Sequence, residues 1–429
     1  MKHAIIAIAA AVVAAVGLTA QAARPAGTLA LVGARVFDGT GAPVIEAGTI
    51  IVSNGKVDQV GPSTRVKIPA GTERIDVTGK TIVPGLVNAH GHVGDTVGLR
   101  SDPKSYTEEH IKRQLRLYSS YGITTVFSLG GDREQGFAVR DASRAQPDVA
   151  RLFVAGDVIT GKTPDEARAM VQRVADQKPD IIKIRVDDNL GTTTKMAPEI
   201  YRAVIDAAHQ RGLRVAAHVF YLDDAKSLLK TGADYIAHSI RDKEVDAELI
   251  GLLKQRDVCV CPTLTREVST FVYESRPAFF DDPFFLRSAE SSVLAELVRP
   301  ERQEGLRTSK SAQAYKAALK VASRNLKTLV DAGVRIAMGT DTGAPTGRFQ
   351  GYFEHLELQL MSDAGLSARQ VLAAATADAA RCMKLDGQLG TLRPGAWADL
   401  LVVRSNPLEN VRNLRTLESV WIGGRRISP

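Results

Sequence analysis

Eight short apolar runs, each separated from the next by polar or amphipathic sequence, most narrow what this chain can fold into. They read IVPGLVNAH, TTVFSLG, RLFVAGDVI, DIIKIRV, RVAAHVF, YIAHSI, VCVCPTL and RIAMGTD. Helix-like stretches fall between them at Glu108–Tyr121, Pro164–Asp176, Pro198–Gln210, Asp223–Lys230 and Val245–Gln255. Strand–helix alternation predicts an α/β protein with a parallel sheet. Eight such units over roughly 300 residues fit a (β/α)8, TIM-like barrel better than an open sheet. The rhythm breaks near residues 265–309, around FVYESRPAFFDDPFFLR. That insertion either covers a site at the barrel mouth or packs on itself as a surface decoration.

The two ends have a different character. LALVGARVFDG, GTIIVSNGKVDQVG and RIDVTGKTIV are short strand patterns punctuated by glycine and Asn-Gly turns. ADLLVVRSNPLENV and LESVWIGGRRI repeat that pattern late in the chain. Residues 28–84 and 390–429 are therefore expected to meet in one small β-sandwich domain beside a barrel of residues 85–389. Residues 1–22 combine Lys2, an apolar run to Leu18 and the small-x-small triplet Ala20-Gln21-Ala22. This is the pattern of a cleaved secretory signal. The run is shorter than the ~20 residues of a spanning helix, so a secreted or periplasmic protein without stable membrane insertion is expected.

Three cysteines exclude a disulfide scaffold. Cys259 and Cys261 read as two small buried thiols, because a bridge at that spacing is strained, and Cys382 has no evident partner. The net charge of +7, from 55 Lys+Arg against 48 Asp+Glu, is spread without blocks of one sign. That argues against a nucleic-acid partner. A small-molecule substrate and a homo-oligomer are expected instead.

Only eight histidines are present, and their positions carry the chemistry. His90 and His92 form His-Gly-His at the end of the first run. His218 ends the fifth, His238 the sixth, and Asp341 the eighth. Barrel enzymes place working residues at the C-terminal ends of strands. His90 and His92 are two apart, so on extended chain both point one way, and Gly91 between them is expected to leave room for an ion. Imidazoles and a carboxylate suit zinc and similar divalent ions. Lys183 sits inside the fourth run, where a lysine is costly unless paired with a carboxylate or converted by CO₂ to a carbamate.

This set resembles the amidohydrolase superfamily: His-x-His on strand one, a carboxylated lysine on strand four, histidines on strands five and six, and aspartate on strand eight. VPGLVNAHGH, the GTD motif and TLRPGAWADLLVV extend the resemblance over nearly all the mature chain. The sequence looks most like the imidazolonepropionase-like and Xaa-Pro dipeptidase-like subgroup. Single-metal deaminases of the superfamily usually carry an acid three places after the strand-five histidine, where this chain has Tyr221. The resemblance implies two divalent metals, most simply Zn²⁺. His90, His92 and Asp341 would hold one, His218 and His238 the other, with N6-carboxylated Lys183 between. It also implies Asp341 as the catalytic proton carrier in hydrolysis of an amide or peptide bond of a small N-acyl amino acid or dipeptide. A lactonase or esterase, a cyclic-amidine deaminase and a non-catalytic scaffold are the rival readings.

Substrate-binding candidates are fewer. Tyr221 is positioned to donate to a carbonyl oxygen. Arg185 either grips a substrate carboxylate or pairs with Asp187 or Asp188. Arg266, Tyr273 and Arg276 on the insertion are further candidates. His110 and His209 read as surface residues, and His355 is a candidate for reaching the mouth.

Overall fold

The apolar runs of the middle section form strands at Leu86–Gly91, Ile123–Ser128, Arg151–Val154, Ile182–Arg185, Val215–His218, Tyr235–Ala237 and Cys259–Cys261, in a computed structural model that describes residues 27–145 and 147–427. The signal segment read at residues 1–22 lies outside the described residues. Every neighbouring pair is parallel. The strands are buried on both sides, as parallel strands under helices must be. The result is a mixed α/β fold, but not one continuous eight-stranded sheet. The first three strands form one sheet and the last four another. The eighth run is not a regular strand. It makes single parallel bridges, Ile336 to Val260 and Thr342 to Gly91, and Ile159–Ile184 links the two sheets. Strands only three or four residues long leave room for few ladder bonds at each junction.

The helices sit close to the sequence expectation because their caps are explicit. Thr163 accepts a hydrogen bond from the Glu166 amide and Pro164 opens the helix Pro164–Asp176. Asp246 caps Ala247–Gln255, which is why that helix starts later than the apolar pattern suggests. No helix among the described residues is long and apolar enough to cross a membrane.

The two chain ends do share a sheet, eight strands joined by hydrogen bonds, and the expected sandwich is not resolved into two separate sheets. Thr81–Pro84 pairs with Leu400–Val403, joining N-terminal to C-terminal strands. The sheet uses both its faces. Leu31, Ile50, Val52, Ile82, Leu400 and Trp421 belong to its own core. Val83, Leu401, Val403, Val420 and Ile422 join the large core of the parallel strands. One sheet with two apolar faces produces the same strand pattern as two facing sheets. Arg151 anchors it, donating to both carboxylate oxygens of Asp399 at 2.6 and 3.0 Å.

Two further expectations are corrected. Cys259 is disulfide-bonded to Cys382, and only Cys261 remains a buried thiol. The partner lies on the helix Ala377–Cys382, which packs under the strand ends, a proximity that linear spacing hides. Gly91 does not make room for an ion. A Cβ there would meet Asn88 and the Tyr118 hydroxyl, because it faces away from its histidine neighbours. Gly339 does allow a close approach: a Cβ would lie 2.9 Å from that of His90.

The insertion is a packed assembly of short helices followed by the long helix Lys310–Asp331. Its aromatic residues Phe279, Phe284 and Phe285 stack edge-to-face and tilted against Phe349, Tyr352 and Phe353, and Phe280 stacks on Phe285. Phe280 and Phe285 are buried.

Candidate metal centre

The strand order brings all six expected residues to one cluster. His90 is on the first strand and His92 lies just past its end, with ring centroids 5.6 Å apart. Asp341 Oδ1 lies 2.9 Å from His92 Nε2 and 3.4 Å from His90 Nε2. Lys183 Nζ is 3.4 Å from His90 Nε2. The His238 ring stands 4.6 Å from that of His90 and 4.1 Å from that of His218. His90, His238 and Asp341 bring donor atoms within 4.8 Å of one another. His238 and Asp341 both take positive φ, 75° and 59°, a costly conformation for residues with a side chain.

The donors fit a divalent cation. The Gly130 carbonyl can only accept, so His92 Nδ1 carries a proton at 3.1 Å, and a neutral ring would turn the Nε2 lone pair toward Asp341. Two acceptors 2.9 Å apart call for a proton or a cation between them. His90 Nδ1 is buried without a partner among the described residues. Burial drives the imidazoles of His90 and His238 well below their ordinary pKa, and that of His218 down to about 3. Neutral imidazole is the form that binds metals. The Thr263 hydroxyl, 2.6 Å from His238 Nδ1, fixes that ring, and Asp187 accepts from His218 Nε2. Such outer partners set the tautomer of a ligand. Burial pushes the Asp341 carboxyl up, but Arg348 and His92 more than reverse it and hold it well below the usual range. Burial also lowers the Lys183 amine to about 8.

The other candidates fall into place less uniformly. Arg185 is half exposed and its guanidinium rests on Asp187. The Tyr221 hydroxyl donates to Asp188 at 2.8 Å. Arg266 is buried beside Glu267 and over the Tyr315 ring. Tyr273 is buried and donates to the Gly347 carbonyl. Arg276 makes an exposed pair with Asp281. His355 does not reach the mouth; it bonds to the Tyr121 carbonyl at 2.8 Å among aromatic rings. His209 pairs with Asp234. His110 is not a free surface residue, since its ring contacts the Thr96 carbonyl and lines a cavity.

Sequence reasoning missed the residues that hold this cluster in place. Glu354 is fully buried, and its Oε1 accepts from Asn88, Thr340 and Thr342 at 2.6–2.7 Å. Asn88 in turn accepts from the His90 amide, so one carboxylate ties the strand of His90 to the segment of Asp341. Arg348 was also missed, though it lies seven residues past Asp341 in the same Gly-rich loop.

Residues 81–427 match the model of the amidohydrolase family. The chain is 23% identical over 425 residues to an imidazolonepropionase of Streptomyces avermitilis, covering 90% of this chain and 88% of that one. It is 25% identical over 452 residues to an ochratoxinase of Aspergillus niger, covering 91% and 84%. A solved Xaa-Pro dipeptidase with bound methionine superimposes with a TM-score of 0.77 at 20% identity, covering 94% of this chain and all of that one.

Proposed function

The chain belongs to the amidohydrolase family, hydrolases of carbon–nitrogen bonds, and from that premise we propose that it cleaves the amide or peptide bond of a small N-acyl amino acid or dipeptide with two divalent metals. The observation that carries this reading is the unbroken chain of contacts from Lys183 through His90, Asp341 and His92 on one side and from His90 through His238 to His218 on the other. On this reading the two parallel sheets and their bridges form one ring, a (β/α)8 barrel. All six residues then sit at its C-terminal face.

His90, His92 and Asp341 would hold one cation, His218 and His238 the other, and Lys183 would serve both as a carbamate. When bound, the cations supply Lewis acidity that lowers the pKa of water and polarises a carbonyl. Lys183 is suited to its role because burial brings its amine to about 8, so a neutral fraction can attack CO₂ and lose a proton. Asp341 takes the proton from the attacking water and returns it to the leaving nitrogen. Thr263, Gly130 and Asp187 keep the histidine rings oriented. Tyr221, three residues past His218, would have to leave Asp188 to donate to a substrate carbonyl. An export signal at residues 1–22 is consistent with the Cys259–Cys382 disulfide, which an oxidising compartment maintains.

The test is metal content together with a substrate panel. Zinc-loaded protein should hold about two ions per chain and cleave acyl amino acids or dipeptides faster than matched lactones. Metal-depleted protein should recover faster with zinc plus bicarbonate than with zinc alone. Lys183→Ala should lose most activity, and short carboxylic acids should restore part of it. A Lys183→Ala variant that holds two metals and turns over normally would sink the two-metal reading.

A further inference from the structure

We propose that Arg241 is a positioning residue that fixes the spacing of His218 and His238, and through them the second of the two cations. The inference rests on the two-metal reading above and names a residue which that reading does not use. His218 ends the strand Val215–His218, and His238 follows the strand Tyr235–Ala237. Arg241 joins the segments immediately past both rings. Its Nη1 donates to the Val219 carbonyl at 2.9 Å and to the Ser239 carbonyl at 2.5 Å. Those are the residues directly after His218 and His238. Its backbone amide donates to the Phe220 carbonyl at 3.0 Å, so the segment after His218 is held twice.

The need for such a clasp is local. His238 takes a φ of 75°, a conformation that persists only where the surroundings hold it. The Ser239 carbonyl is held by Arg241, and the Ser239 amide donates to the Pro262 carbonyl at 3.0 Å. Thr263 and Asp187 act on the imidazole rings themselves. Arg241 acts on the backbone that carries them, and so on the 4.1 Å between the ring centroids.

The guanidinium is not explained by the strength of its ion pair. The side chains of Arg241 and Glu267 are both wholly buried. Arg241 Nε lies 2.9 Å from Glu267 Oε1, yet neither Nε nor Nη2 makes an aligned hydrogen bond among the described residues, and Glu267 Oε2 has no partner there either. A buried ion pair with unused donors is a poor source of stability. Nη1 is the atom in full use, and both of its bonds go to the histidine segments. Glu267 also pairs with Arg266 at 2.9 Å, which offsets positive charge that would repel a cation. The guanidinium lies 4.6 Å from the centre of the Phe220 ring, a packing that keeps it in one place. Among the described residues it makes no hydrogen bond to the segments of His90, His92 or Asp341. Loss of Arg241 should therefore reach one cation and spare the other.

The experiment is a zinc titration of the metal-free mature chain against a competing chelator, with ion content and urea unfolding measured on the same samples. The native chain should hold about two ions. Arg241→Gln combined with Glu267→Gln removes both buried charges together, so neither is left uncompensated. That variant should bind one ion as the native chain does and the other about tenfold or more weakly, the range for a group that orients a metal ligand. Arg241→Lys keeps the charge, but its side chain is one bond shorter and its ammonium falls short of the Nη1 position. It should show the same split. Asp399→Asn lies outside the cluster and is expected to destabilise the chain, yet it should keep both ions at native affinity. Cobalt in place of zinc gives a second readout: in both Arg241 variants the visible bands of one ion should change and those of the other should not. Native affinity for both ions in a folded Arg241 variant, equal weakening of the two, or the same split in Asp399→Asn would overturn the proposal. If neither Arg241 variant folds, the residue belongs to the core and the positioning role is overturned as well. Failure of the two-metal reading is distinct: the native chain itself would then hold fewer than two ions, and the role of Arg241 falls with it.

Discussion

Cys259 opens the strand Cys259–Cys261 and Thr263 lies two residues past its other end, and their surroundings differ in kind. At the first end the strand is joined covalently to the helix Ala377–Cys382. Nearby, the neighbouring sheet is fastened by Arg151 on Asp399, with both side chains almost wholly buried. At the other end Thr263, His238 and Asp341 all take positive φ. Among the described residues, Lys183 is buried there without a carboxylate partner within 4.0 Å, and His90 Nδ1 is unsatisfied. One end gathers interactions that stabilise the chain, and the other gathers groups whose arrangement costs free energy. Strained and polar sites persist only where the surrounding structure holds them. Substitutions at the two ends should therefore separate stability from activity.

The largest expected effect is at the fastened end. Asp399→Asn leaves the buried Arg151 charge uncompensated and should lower stability by about 3–5 kcal/mol, read by urea unfolding. The variant that remains folded should turn over substrate normally. A fall in turnover with unchanged stability would erase the contrast between the ends. Cys382→Ser should cost about 2–4 kcal/mol, again without a change in kcat. Reducing agent should affect the native chain by a similar amount and that variant hardly at all. At the polar end, Asp341→Asn should lose at least ~10² in kcat, which is about 2.7 kcal/mol of barrier, in the fraction that stays folded, since the change also leaves the buried Arg348 without its carboxylate. The smallest effect is expected for Thr263→Val. It frees one ring nitrogen of His238 and should weaken metal affinity by about tenfold, the low end for an orienting partner. Unaltered zinc affinity would mean that Thr263 does not orient the ring.

The meeting of His90, His92, His218, His238 and Asp341 was legible because strand ends are marked in the sequence, while Lys183, inside its strand, joined them only through the family resemblance. A run that stops at a polar residue fixes which side chain reaches the rim. The residues that support them were not legible, since Arg348, Gly130, Thr263 and Asp187 lie in connecting segments without a period. Arg185 pairing with Asp187 was foreseen as an option, but the second role of Asp187 toward His218 was not. Cys259 and Cys382 are 123 residues apart on a strand and a helix, so nothing in their spacing announces contact. How the terminal strands divide between sheets was not legible, because alternation shows that both faces are apolar, not how the sheet bends between them.

The pairing of Thr81–Pro84 with Leu400–Val403 also sets an order of events during synthesis. Pro84 leaves the ribosome long before Leu400, its partner across the ladder. Until then one edge of the early strands stays open, and such an edge invites pairing with another chain. Contacts this distant in sequence slow folding and prolong the exposed state. A chain truncated before Leu400 would retain all six clustered side chains and still lack the strand that closes this edge. It should collect in aggregates more readily than it folds.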